Sequence, residues 1–193
     1  MARTKEFDPD AALRRALDLF WERGYEATSM ADLVERLGIA RASIYGTFGG
    51  KHELYLKALE RYLRTTDPGV AERLSQPGPA LPAVRALIER YAEESAGDRE
   101  RRGCMVVNAA VELAPRDAEA ARLVEASWSF LEAALTVALT RARNQGELAP
   151  GKDPRALARL VLVILQGMRV LGRAPADPGR VRDAARAAQA LFD

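Results

Sequence analysis

The sequence predicts an all-α fold, a three-helix N-terminal helix-turn-helix unit followed by a larger helical domain. Three observations carry this. Apolar residues recur at three- and four-residue spacing along nearly the whole chain. No run alternates with period two for long enough to suggest a sheet. Helix boundaries are written into the chain, with Asp-Pro starts at Asp8-Pro9, Asp153-Pro154 and Asp177-Pro178 and glycine stops at Gly24, Gly38 and Gly49-Gly50.

The elements follow in order. Asp8 can accept a free first-turn N–H, and Pro9 has none to satisfy, so a helix opens there. Leu13, Ala16, Leu17 and Phe20 form its apolar face up to Gly24. Thr28 or Ser29 caps the second helix, and Ser29 with Asp32 has capping-box spacing. Met30, Leu33, Val34 and Leu37 are its buried stripe. Arg41 to Phe48 makes a third helix. A fourth opens at Lys51 and runs to about Arg64, with Leu54, Tyr55, Ala58, Leu59 and Tyr62 inward. From Asp67 to Pro82 the chain is dense in Pro and Gly and reads as a junction. Beyond it, Val84, Leu87, Ile88 and Tyr91 mark one helix and Cys104 to Leu113 a shorter one. Asp117 caps a long helix reaching about Asn144, with Leu123, Val124, Trp128, Leu131, Leu135 and Leu139 inside. The last two Asp-Pro pairs open two final helices.

The totals narrow the chemistry. A chain of 193 residues, 48% hydrophobic and 29% charged, has the composition of a soluble globular protein. Its net charge of +2 is too small to point to a polyanion. Up to Thr66 there are 11 Lys and Arg against 10 Asp and Glu, so any basic surface must be local. One Cys and one His build neither a disulfide framework nor a structural zinc site, so no metal and no cofactor are expected. The longest wholly apolar run, Leu160 to Leu165, is far short of a membrane span, and no membrane partner is expected. MARTKEFDPD has no apolar stretch behind its charges, which argues against a secretory leader and for a cytoplasmic protein. No nucleophile–base constellation or phosphate-binding glycine loop is present, and an enzyme is not expected.

Thr28, Leu33, Gly38-Ile39, Ser43-Ile44-Tyr45, Phe48, Lys51 and Leu54, preceded by Ala16, Phe20, Gly24 and Tyr25, form a recognisable pattern. It resembles the N-terminal DNA-binding domain of the TetR/AcrR family of bacterial regulators. The resemblance implies a homodimer on double-stranded operator DNA, and a variable helical C-terminal domain holding a small-molecule effector. It divides the chain into a DNA-binding domain over 1–50, a connecting helix over 51–66 and a ligand-binding and dimerisation domain over 67–193. The implied function is a repressor released from a palindromic operator by its effector; activation stays open. Two positions depart from the pattern. Ala40 stands where a capping Ser is common, and Gly46 where a large polar residue is common.

On a helical wheel Ile44 and Phe48 lie one turn apart and pack inward. The opposite face centres on Ala42 and Gly46, with Ser43 and Thr47 on one side and Arg41 and Tyr45 on the other. A mid-helix glycine costs about 1 kcal/mol against alanine. One reading is that the small surface lets the backbone sit deep in the major groove, with Arg41 on guanine and Ala42 on a thymine methyl. Neutral drift at an exposed site is the other. The resemblance implies phosphate contacts by Thr28, Tyr45 and Lys51; His52 reads as plain surface. One recognition helix reads only a few base pairs, so two half-sites are expected. The dimer interface is expected from Leu157, Leu160, Val161, Ile164, Leu165, Met168 and Leu171, with Val181, Ala184, Ala188 and Leu191. The competing reading is that these stripes face the subunit's own core.

The effector side is less legible. Arg102-Gly103-Cys104-Met105-Val106-Val107-Asn108, continuing to Glu112, resembles a Gly-Cys motif of one subset of the family. A thiol at a helix N-terminus beside Arg101 and Arg102 favours thiolate, which makes a redox or electrophile switch one reading and a small buried hydrophobe the other. Asn108 and Glu112, one turn apart, are candidates to orient a ligand between Tyr91, Trp128, Phe130 and Met168. The stripes hold few charges, which favours a largely apolar small molecule. A helical carrier or adaptor without DNA binding is the remaining alternative.

Overall fold

The computed structural model describes residues 7–174 and 177–193; residues 1–6 of the stretch read above as no leader lie outside it. Among the described residues are nine α-helices and no strand. The helices are α1 (Pro9–Arg23), α2 (Met30–Leu37), α3 (Arg41–Phe48), α4 (Lys51–Leu74), α5 (Ala80–Gly97), α6 (Met105–Glu112), α7 (Ala118–Asn144), α8 (Pro154–Arg173) and α9 (Pro178–Gln189). The caps act through the atoms their chemistry suggests. Asp8, Asp117, Asp153 and Asp177 accept first-turn amides, and Ser29 with Asp32 closes both bonds of a capping box.

Two apolar cores result. Phe20, Leu33, Ile44, Leu54 and Tyr55 centre the N-terminal one, which also takes Met105 and Val106 of α6 and Leu123 and Val124 of α7. Ile88, Leu135, Leu165 and Phe192 belong to the second, built by the end of α4 with α5, α7, α8 and α9. Helix α6 and the first turns of α7 therefore pack with the DNA-binding helices, while α5 belongs to the second core. By length and composition α7 could cross a membrane, yet its apolar side packs on α4, α5, α6 and α8.

Two expectations are corrected. The fourth helix does not end near Arg64 but continues through Asp67-Pro68-Gly69 to Leu74. Pro68 cannot donate to the Arg64 carbonyl, a cost of about 3 kcal/mol in an ordinary helix. Tertiary packing outweighs it here, because Leu74 is buried and Val70 half-buried in the second core. The expected dimer stripe also turns over. Leu157, Val161, Leu165, Met168, Val181 and Ala188 are buried in the subunit's own core. Leu160, Leu171 and Ala184 are exposed and Ile164 and Leu191 half-buried. Val163 and Val170 join that outer face. The apolar arc of α8 is broad and is bounded on one side by Arg155, Arg159, Gln166, Arg169 and Arg173, so periodicity finds the polar side but cannot divide the apolar arc into an inner and an outer part.

Candidate nucleic-acid interface and effector cavity

Helix α3 is held by two side chains, Ile44 fully buried and Phe48 nearly so. This leaves Arg41, Ala42, Tyr45 and Gly46 exposed, with Ser43 and Thr47 at the margin. Ala40 provides no side-chain cap, so amides of the first turn are left for an outside acceptor. A Cβ placed on Gly46 would meet nothing within 4 Å, so no packing inside the subunit requires the glycine. The Arg41 guanidinium lies 5.9 Å from the centre of the Tyr45 ring, a cation–π contact on the same exposed face.

The start of α4 lies next to this face. Gly50 gives no side-chain cap, and the Gly50 carbonyl accepts its first bond from Leu54, so earlier amides point outward. Lys51 Nζ sits 4.3 Å above the Tyr25 ring, which fixes the ammonium beside those amides. Thr28, expected to contact phosphate, does not present its hydroxyl. It is fully buried and donates to the Gly24 carbonyl at 2.7 Å, while Ser29 is the cap of α2. Thr28 thus closes the α1–α2 turn.

The same turn is clamped by the sensor region. Glu112 was expected to orient a ligand; instead its carboxylate accepts the amides of Tyr25 and Glu26, each at 2.9 Å. A Cβ on Gly24 would come within 2.8 Å of that carboxylate, and φ there is +87°, so glycine is needed twice over. Trp21 Nε1 donates to the Gly103 carbonyl at 3.0 Å, and Arg116 pairs with Glu26. His52, expected to be plain surface, has its Nε2 2.6 Å from Asp117 Oδ2. Asp117 also caps α7 through the Ala120 amide at 2.7 Å. That amide above all, helped by His52, holds the Asp117 carboxyl below its ordinary value against the desolvation of its site. The residue next to Lys51 is therefore tied to the first turn of α7. These partners stand 65 to 90 residues apart, and the local signals that a partner was needed were the lone indole N–H of Trp21 and the carboxylate of Glu112 on an apolar helix.

A cavity lies between α4, α5, α7 and α8. Of the residues expected around an effector, Tyr91, Cys104, Trp128 and Phe130 line it, joined by Tyr62 and Asp67 of α4. Asn108 and Met168 do not. The Asn108 amide is spent on the Arg102 carbonyl at 3.0 Å, and Met168 is buried in the second core. The free volume is about 30 Å³, close to one water molecule's share of liquid. Tyr62 donates to Cys104 Sγ at 3.6 Å, and burial raises the Tyr62 phenol well above its ordinary value, so it remains a donor.

Residues 12–58 match the family model for bacterial regulatory proteins of the tetR family, and residues 80–190 match the tetracyclin repressor-like C-terminal domain. The chain is 38% identical over 184 residues to the uncharacterised HTH-type transcriptional regulator YezE of Bacillus subtilis, covering 95% of each protein. It is 32% identical over 172 residues to the HTH-type transcriptional repressor ComR of Escherichia coli, covering 89% of this chain and 82% of that protein. Among solved structures, a cysteine mutant of the TetR family regulator CifR bound to 26-bp operator DNA superposes with a TM-score of 0.85 at 29% identity, covering 100% of both chains. Reduced NemR of Escherichia coli, at 17% identity and a TM-score of 0.84, covers 95% of this chain and 96% of its own and shares the fold.

Proposed function

The chain belongs to the TetR family of bacterial regulatory proteins, and we propose that it works as a homodimeric repressor that leaves a palindromic operator when a small molecule enters the cavity. It is a DNA-binding transcriptional regulator, and its partner is operator DNA. It acts by binding rather than by catalysis, in the cytoplasm where its DNA is. The observation that carries the reading is the geometry of α3: Ile44 and Phe48 anchor it while Arg41, Ala42, Tyr45 and Gly46 face outward. On that face Arg41 and Ala42 read base edges, flanked by Ser43 and Thr47. Gly46 lets the backbone approach, and Tyr45 and Lys51 hold phosphates.

Release follows from α4. One continuous 24-residue helix carries Lys51 at its start and Tyr62 and Asp67 at the cavity. An effector larger than the 30 Å³ now free must move α4 away from α7. His52–Asp117 and Glu112 at the amides of Tyr25 and Glu26 carry that movement to the DNA-binding helices. Coupling of about 1–3 kcal/mol would change operator affinity about 5- to 150-fold.

Lys51→Ala tests the phosphate assignment. Affinity should fall on specific and non-specific DNA alike, and the slope of log K against log salt should flatten by about one unit. A loss confined to one sequence would remove Lys51 from the phosphate set.

A second reading keeps the DNA chemistry but makes Cys104 the trigger. It is favoured by the Tyr62–Cys104 contact, which joins the N-terminus of α6 to α4 across the cavity. Iodoacetamide should then lower operator affinity about tenfold or more in the native protein and leave Cys104→Ser untouched. Full alkylation with unchanged binding would end this reading.

A further inference from the structure

Resting on the effector reading above, we infer that the α4–α7 cavity selects a small cationic amphiphile: an amine on an aromatic or branched aliphatic body, its ammonium on Asp67 and a hydrogen-bond acceptor facing the Trp128 indole N–H.

Asp67 lies on the cavity wall, and its carboxylate is met by one group, the Ser127 hydroxyl at 3.4 Å. Among the described residues it forms no ion pair. Burial of this carboxyl raises it above its ordinary value. Asp67 is half-buried, and a carboxylate partly withdrawn from water with no counter-charge is destabilised, which a ligand cation relieves. Trp128 Nε1 is buried without an acceptor, which is rare for a buried donor. Tyr62, Tyr91, Phe130 and Trp128 provide aromatic walls that suit both an apolar body and a cation over a ring face.

The nearby positive charge is already committed. Arg169 is paired with Glu94 and stacked 4.3 Å over the Tyr91 ring, and it does not line the cavity. An anionic ligand would meet Asp67 with no cation offered to it. A wholly apolar one would leave Asp67 without a counter-charge and the Trp128 N–H without an acceptor. The sequence hid this charge because Asp67-Pro68-Gly69 reads as a linker; only the continuation of α4 to Leu74 brings Asp67 to the cavity. The weak point lies at the same place. Pro68 withholds a donor from the Arg64 carbonyl, and the Thr65 hydroxyl donates back to the Tyr62 carbonyl at 2.8 Å, so this stretch of α4 is held less firmly than an uninterrupted helix interior.

The test uses three probes with nearly the same body: 2-phenylethylammonium, neutral 2-phenylethanol and anionic 3-phenylpropanoate. Binding to the native dimer is read by calorimetry without DNA at fixed ionic strength, then operator affinity is read with each probe present. The ammonium should bind about tenfold more tightly than the alcohol, one charged contact's worth, and should weaken operator binding about fivefold or more. The propanoate should not bind. Asp67→Asn should bring the ammonium down to the level of the alcohol, and Trp128→Phe should weaken both while keeping the ring. Equal binding of alcohol and ammonium, preference for the propanoate, no binding of any probe at millimolar concentration, or a preference that survives Asp67→Asn would each overturn the inference. Because binding is read without DNA, loss of operator recognition would count against the regulator reading alone.

Discussion

Replacing Leu160 and Val163 together with aspartate should give a folded monomer of 21.1 kDa whose operator affinity is about a hundredfold lower or worse. In the isolated subunit these side chains are 42% and 67% exposed, and Val170 at 51% and Leu171 at 37% continue the same side of α8. Exposed Ala184 and Ala187 lie on α9 beside them. An exposed apolar face of this extent on two neighbouring helices calls for a partner. A second copy provides one and brings two α3 helices to one duplex. Joining two binding modules raises affinity by about 10²–10⁴ over one module, and that gain is what the double variant removes. The subunit fold should survive, since neither side chain is in its core. Light scattering gives the mass and anisotropy the affinity. A variant that stays dimeric and binds as before would show that the interface lies on another face.

Phe48→Ala should cost about 3–5 kcal/mol of stability, the usual loss for a buried phenylalanine, and should abolish operator binding. Phe48 and Ile44 are the two buried side chains of α3, an eight-residue helix that cannot stand alone in water. Without the ring, α3 loses its seat on the N-terminal core, and its outer face no longer has a fixed orientation. Denaturation in urea gives the first quantity and anisotropy the second. Probe binding in the cavity should be affected much less. A loss under about 1 kcal/mol with operator binding intact would contradict the anchoring role.

Much of this was legible from residues alone, and for physical reasons. Asp8, Ser29, Asp117, Asp153 and Asp177 marked helix starts because their side chains satisfy amides within three residues of themselves. The inward pair Ile44 and Phe48 followed from a helical period in a short amphipathic segment. Signals failed where the partner was distant or the face ambiguous. Glu112 looked like a polar group in an apolar helix, and its role depends on amides 86 and 87 residues away. Thr28 fitted a phosphate pattern, yet its hydroxyl is turned to the Gly24 carbonyl. Pro68 argued for a break that packing of Val70 and Leu74 overrides. On α8, Leu157 and Leu160 look alike in sequence, and only the positions of α5 and α7 decide which one is inside.

The most direct test of the central claim, that the outward face of α3 reads the operator, is to select binding sequences from random duplexes with the native protein and with Gly46→Arg. Both should return palindromes of one spacing, half-sites about 34–36 Å apart or a multiple of it. The arginine variant should prefer a different base, guanine above all, at one symmetric position in each half-site. Identical preferences at unchanged affinity would mean that this face never meets the bases.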